Sequence, residues 1–251
     1  MTDDVIILKL GGSIVTKKSE QDVIDIESIR NISSQISKIS NSKSLVIVHG
    51  AGSCGHPEAK QYQIQSGVTR SNVSGISITH SAVKKLNEVI VSCLREFGVN
   101  AVSIHPFCSS LAKSGRLVYY GEDQVKLLLN LGVVPVLHGD VVMDIDRGAC
   151  IVSGDQILCS LAKSMKASKV GLATDVPGVL MNGSVVPIIT RKNVNSVALG
   201  ESSNIDVTGG MSGKIDELLG LADIGISSHI FHTSQIMNFL CNREHSGTII
   251  Q

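Results

Sequence analysis

Tryptophan is absent from these 251 residues, and the aromatic total is only three Tyr and four Phe. So few flat rings argue against the stacking platforms that hold single-stranded nucleic acid. Neither charge sign is in excess: 22 Lys and Arg balance 22 Asp and Glu. A neutral chain has no global field for nucleic acid or an acidic membrane surface, so any anion site must be local. No apolar run approaches the length of a membrane span. The N-terminal Met-Thr-Asp-Asp is acidic and leads straight into a strand, unlike a signal peptide. The six cysteines, Cys54, Cys93, Cys108, Cys150, Cys159 and Cys241, form no C-x-x-C pair. That gives little support to a zinc site and fits a reducing, cytoplasmic setting.

At 43% hydrophobic residues, the chain can bury a sizeable core. Apolar, β-branched runs alternate with longer helical patterns, which predicts an α/β fold with a parallel sheet and crossover helices. The expected strands are Val5–Leu10, Ser44–Val48, Ala101–Ile104, Val133–Leu137, Lys169–Ala173, His229–His232 and Thr248–Ile250. The expected helices are Ile26–Ser40, Pro57–Gln63, Ile76–Phe97, Glu122–Leu131, Asp155–Met165 and Gly213–Ile224. Val141–Val152 and Val179–Ile189, the latter around Asn182-Gly183, read as β-hairpins near the active-site edge. Without repeats or a linker, residues 1–251 read as a single domain. Its expected lobes are 1–168 for a phosphate-bearing acceptor and 169–251 for a nucleotide.

Two glycine loops follow the first two apolar runs: Lys9-Leu10-Gly11-Gly12-Ser13 and His49-Gly50-Ala51-Gly52-Ser53-Cys54-Gly55-His56. Glycine lets main-chain N–H groups approach an anion, and a helix N-terminus adds positive potential. Two such loops suggest two anions held face to face, as phosphoryl transfer requires. Lys9 lies inside an apolar run, where a cation is costly unless it meets an anion. The blander readings are tight turns and an edge-strand lysine in solvent. Gly50-x-Gly52-x-x-Gly55 formally matches a dinucleotide fingerprint, but no acid follows about 20 residues later. A Walker A sequence is absent, so ATP chemistry would need a different nucleotide site.

Further candidates open predicted helices or end strands. Asp155 in Ser153-Gly154-Asp155 reads either as a helix cap or as a partner for lysine. Asp175 in Thr174-Asp175-Val176-Pro177-Gly178 ends a strand, where open α/β sheets place ligands. The glycine loop 206–213 puts Lys214 in the first turn of a helix, a position that a bound polyphosphate would explain. His80, His105, His229, His232 and His245 show no metal-ligand spacing and read as structural.

In this order, K-L-G-G-S, H-G-A-G-S-C-G-H, S-G-D, A-T-D-V-P-G-V and D-V-T-G-G-M-x-x-K resemble the amino acid kinase family over residues 5–250. The resemblance implies an open αβα sandwich with a mostly parallel sheet, ATP with Mg2+ as cofactors, and a homodimer. By position, Lys9, Gly11, Gly12 and Ser13 would contact ATP phosphates, and Asp175, Gly210 and Lys214 would serve the nucleotide. Ala51, Gly52 and His56, helped by Gly154, would bind the acceptor phosphate, with Gly52 also near the nucleotide. Lys18 matches the family's transition-state lysine, with Lys17 just before it as a shifted candidate.

Within the family, the histidine closing G-S-C-G-H points to members that phosphorylate isopentenyl phosphate in the alternative mevalonate pathway. Rival readings are a kinase for another small molecule, such as fosfomycin, and a non-catalytic nucleotide-binding sensor or storage protein. Three departures from the family pattern stand out. Ala51 replaces a glycine, Gln156 ends the usual S-G-D-D, and Pro177 replaces an aspartate.

Overall fold

A computed structural model describes residues 4–17, 22–39, 43–197 and 210–251. From the N-terminus run β1 (Val5–Leu10), α1 (Gly12–Val15), α2 (Ile26–Ser37), β2 (Ser44–His49), α3 (His56–Gln61) and α4 (Ser74–Glu96). Next come β3 (Ala101–Ser103), α5 (Pro106–Ser109), β4 (Ser110–Lys113), β5 (Arg116–Tyr120), α6 (Glu122–Asn130) and β6 (Val134–His138). Then follow β7 (Asp140–Asp144), β8 (Gly148–Val152), α7 (Gly154–Met165) and β9 (Lys169–Thr174). The short strands β10 (Leu180–Met181), β11 (Ser184–Val185) and β12 (Ile188–Ile189) precede α8 (Gly210–Ala222). The chain closes with β13 (Ser227–His232), α9 (Ile236–Leu240) and β14 (Thr248–Ile250).

Among the described residues, the main sheet has eight strands in the order β12-β14-β13-β9-β1-β2-β6-β3. Its neighbours run parallel except β13 and β14. Strand β1 shows why both faces are covered. Side chains alternate across a strand, and all six of its residues are buried. Val5 and Ile7 join one core with Ile157 and Leu161 of α7 and Leu218 of α8. Ile6, Leu8 and Leu10 join the other with Ile32 of α2, Leu86 and Ile90 of α4, and Phe239 of α9. A sheet with apolar contacts on both faces needs helices on both, which gives the αβα sandwich.

Both expected hairpins form: β7–β8 pair from Asp140↔Val152 to Asp144↔Gly148, and β10–β11 meet around Asn182 and Gly183. A further hairpin, β4–β5, was not expected. Its two-residue turn is Ser114-Gly115, with φ of 51° and 82°. Positive φ at both positions is what a tight primed turn demands. These strands form a second sheet, β5-β4-β7-β8. It is held at Asp144, whose carboxylate accepts N–H groups from Ser114, Gly115, Asp146 and Arg147 at 2.7–3.2 Å. Helix α4 begins two residues before its expected start, and α8 three before.

Candidate active site

Three central strands deliver their C-terminal ends side by side. Leu10 is in register with His49 of β2 and with Ala173 of β9. Main-chain hydrogen bonds join the exits: Gly50 N donates to Leu10 O at 3.0 Å, and Gly11 N to Ala173 O at 2.9 Å. The two glycine loops then touch. A Cβ on Gly12 would lie 2.5 Å from Gly52 N. Gly52 has φ of +57°, and a Cβ there would lie 2.2 Å from Thr16 Oγ1. Thr16 itself joins the loops: its hydroxyl donates to Gly12 O at 2.9 Å and accepts Ser53 N–H at 3.0 Å.

Lys9 shares its strand face with Val5 and Ile7, so its side chain runs toward α7. Its Nζ lies 2.5 Å from Asp155 Oδ1, and the residue is 7% exposed. The solvent reading of Lys9 is therefore excluded. The two readings of Asp155 are also resolved. The helix cap is Ser153, which accepts Gln156 N–H at 3.2 Å, while Asp155 is the partner of Lys9. Gly154 fits between: a Cβ there would lie 3.1 Å from His49 O and 3.5 Å from Lys9 Cε. On the other side, Ser13 Oγ donates to Asp175 Oδ1 at 2.8 Å and ties the first glycine loop to the end of β9.

Ala51 and Gly52 are half-buried. His56, also half-buried, opens α3, and the preceding Gly55 is packed against Val83 of α4. Gly210 opens α8, so half-buried Lys214 is the fifth residue of that helix. The earlier start moves Lys214 past the first turn, where the helix dipole opposes a cation most. Lys17 is exposed, and its N–H donates to Val23 O at 2.9 Å. Lys18 and residues 206–209 lie outside the described residues. Gln156, where the family pattern has an aspartate, serves the β4–β5 hairpin. Its Oε1 accepts Leu117 N–H at 3.3 Å and its Nε2 donates to Gly115 O at 3.5 Å. A carboxylate could not make the second bond.

Sequence reasoning missed a group of imidazoles beside the second glycine loop. His49 and His138 end the adjacent strands β2 and β6, in register and stacked with ring centroids 5.3 Å apart. His49 Nδ1–H donates to Gly50 O at 2.9 Å, and its Nε2 accepts from Asn87 Nδ2 at 3.1 Å. His138 repeats the pattern, donating from Nδ1 to Gly139 O at 3.0 Å and accepting at Nε2 from His105 Nδ1 at 2.9 Å. Burial lowers the pKa of His49 to about 4 and of His138 to about 3. Burial lowers that of His105 as well. Alongside, His80 Nδ1 donates to Asp140, which also accepts N–H groups from Phe107 and Val141. His49 and His138 each stand directly before a glycine in sequence, a signal that could have been used, but Asn87 is 38 residues from His49 and becomes its partner only in the fold.

A two-sided α/β sandwich whose parallel strands end in abutting glycine loops around a buried lysine belongs to the phosphate-handling class of folds. The chain belongs to the amino acid kinase family, whose model matches residues 4–232. It is 37% identical to an isopentenyl phosphate kinase of Haloferax volcanii, with 98% of each chain covered. It is 38% identical to one of Methanothermobacter thermautotrophicus, again over 98% of each. A solved isopentenyl phosphate kinase structure superposes with a TM-score of 0.86 at 35% identity, covering 98% of this chain and 100% of that one. No helix among the described residues is long and apolar enough to cross a membrane.

Proposed function

We propose that this chain transfers the γ-phosphoryl group of ATP to the phosphate of isopentenyl phosphate, releasing ADP and isopentenyl diphosphate. The observation that carries the proposal is the contact between the two glycine loops, with the buried Lys9 amine beside them. An acceptor phosphate is already an oxyanion, so the reaction needs no general base. Catalysis reduces to alignment and charge neutralisation. In this reading Lys9 lies between the two phosphates, held by Asp155, and Gly11, Gly12 and Ser13 face those of ATP. Ala51, Gly52, Gly154 and His56 take the acceptor. Asp175, Gly210 and Lys214 serve the nucleotide, and Lys18, with Lys17 as its neighbour, neutralises the group in flight.

The acceptor's alkyl tail needs apolar walls. Ile76 of α4 and Ile151 of β8 pack with Phe107 against a small core that includes Ala59, Ile64 and Val141. Ala59 belongs to the helix that His56 opens. This supports an oily acceptor rather than a short polar phosphonate such as fosfomycin.

Among the described residues, no group of three or more His, Cys, Asp or Glu could hold a metal ion. Mg2+ binds chiefly through nucleotide phosphates with one or two carboxylates. Asp175, which accepts from Ser13 at the first glycine loop, would be the carboxylate on the nucleotide side. When bound, the ion would neutralise phosphate charge. We also infer lobes at 1–168 for the acceptor and 169–251 for the nucleotide. We infer a homodimer from the family resemblance, and light scattering tests it. A cytoplasmic location is supported by six free cysteines.

The test of function is ADP release measured in parallel with isopentenyl phosphate, dimethylallyl phosphate and fosfomycin. Isopentenyl phosphate is expected to give the highest kcat/KM. Turnover of fosfomycin alone, or of no acceptor, would overturn the proposal.

A further inference from the structure

The buried His49 ring is bonded to a main-chain carbonyl inside the acceptor loop, and none of the roles above uses it. Its Nδ1 lies 2.9 Å from the oxygen of Gly50, the next residue in the chain. That oxygen can only accept, so Nδ1 carries the proton, and Nε2 is left to accept from Asn87. The ring is fully buried. The main-chain oxygen of His49 is engaged too: it accepts Gly139 N–H at 3.1 Å, and Gly154 is packed against it.

A planar trans peptide points its C=O and its N–H in opposite directions. Gly50 O and Ala51 N–H belong to one such peptide. Holding Gly50 O on the side of the buried imidazole therefore turns Ala51 N–H the other way. Rotation of this peptide changes ψ of Gly50, which a residue without a Cβ tolerates, and φ of Ala51, which is −72° here. Without the ring, the orientation would rest on the φ preference of Ala51. The rotated form would present a carbonyl oxygen to an incoming anion in place of a donor.

We propose that His49 is a positioning residue that locks the Gly50–Ala51 peptide plane, so that Ala51 N–H faces the acceptor phosphate before the acceptor arrives. This rests on the acceptor-loop reading given above. His138 makes the same bond to Gly139 on the adjacent strand, stacked on the first ring. Asn87 keeps the tautomer by donating to Nε2.

The test compares two variants in the isopentenyl phosphate assay. His49→Leu removes the donor. His49→Asn places an amide N–H near the former Nδ1 and retains it. The expected result is an acceptor KM raised about tenfold or more by His49→Leu, an ATP KM within twofold of wild type, and recovery to within about threefold by His49→Asn. A purely structural ring would lower thermal stability and affect both KM values alike, with Asn no better than Leu, and that result overturns the proposal. Nitrogen NMR of wild-type protein labelled at histidine needs no variant. It should show the His49 ring neutral and protonated at Nδ1, and protonation at Nε2 instead overturns the lock. If wild type turns over no acceptor, the functional reading fails, and this spectrum still judges the lock.

Discussion

The two sides of the cleft are organised by opposite means. On the β1 and β9 side, side chains meet across loops: Lys9 with Asp155, and Ser13 with Asp175. On the β2 and β6 side, neutral buried imidazoles hold main-chain carbonyls, and no formal charge lies in the bonds that His49 makes. The contrast fits the roles proposed for the two sides. A polyphosphate carries several charges and rewards cations, whereas one small phosphate is best met by N–H groups fixed in advance.

The sharpest way to break the contrast is Lys9→Met. Rate is expected to fall by ~10²–10³. Asp155 would remain buried without its partner, which costs about 3–5 kcal/mol. Adding Asp155→Leu should restore most of the stability in denaturant unfolding but none of the rate. If the double variant recovers activity, the charge has no catalytic part.

On the acceptor side, His56→Ala is expected to raise the acceptor KM about tenfold or more and to leave the ATP KM within twofold. An unaltered acceptor KM removes His56 from that role. Gly52→Ala acts on both sides together, because its new methyl group meets Thr16 at a positive φ. We expect a loss of about 1–3 kcal/mol of stability and a rise in both KM values.

Acid separates the buried groups by window. Histidines whose folded pKa is lowered bind protons more readily once unfolded. Stability from His49 and His138 is therefore fully present above the usual histidine value of 6.5 and declines as pH falls toward about 4 and about 3. Asp144 follows the same sign at lower pH. Burial alone would raise its pKa, but N–H groups of Gly115, Arg147 and Asp146 hold it below the usual 3.8. Its contribution is present above 3.8 and is lost as pH falls through the lowered value. Melting temperatures of wild type should drop in both windows. Asp144→Asn should flatten only the lower one, and equal slopes in both proteins below pH 4 would refute that assignment.

The strands were legible because two-sided burial writes continuous apolar runs, as in Val5–Leu10. Lys9 stood out because a cation in such a run demands an anion. The β4–β5 hairpin was not legible. Its four-residue strand Ser110–Lys113 has no long apolar pattern, and the turn depends on Ser114 taking a positive φ, which serine rarely does. Gln156 looked like a lost carboxylate until that hairpin supplied Leu117 and Gly115 as its partners. The imidazole lock depends on which face of α4 carries Asn87 and what lies opposite, and both are matters of packing rather than of local spacing.

The near-contact of Gly12 with Gly52, braced by the Thr16 hydroxyl, sets a ruler made almost wholly of backbone. In the proposed reaction, the gap between donor and acceptor is then gauged before any molecule enters. Acceptors that differ in their tails can be accommodated by reshaping the distant oily walls. A change in head group would require both loops to be recut together, so diversification of such an enzyme should proceed tail first.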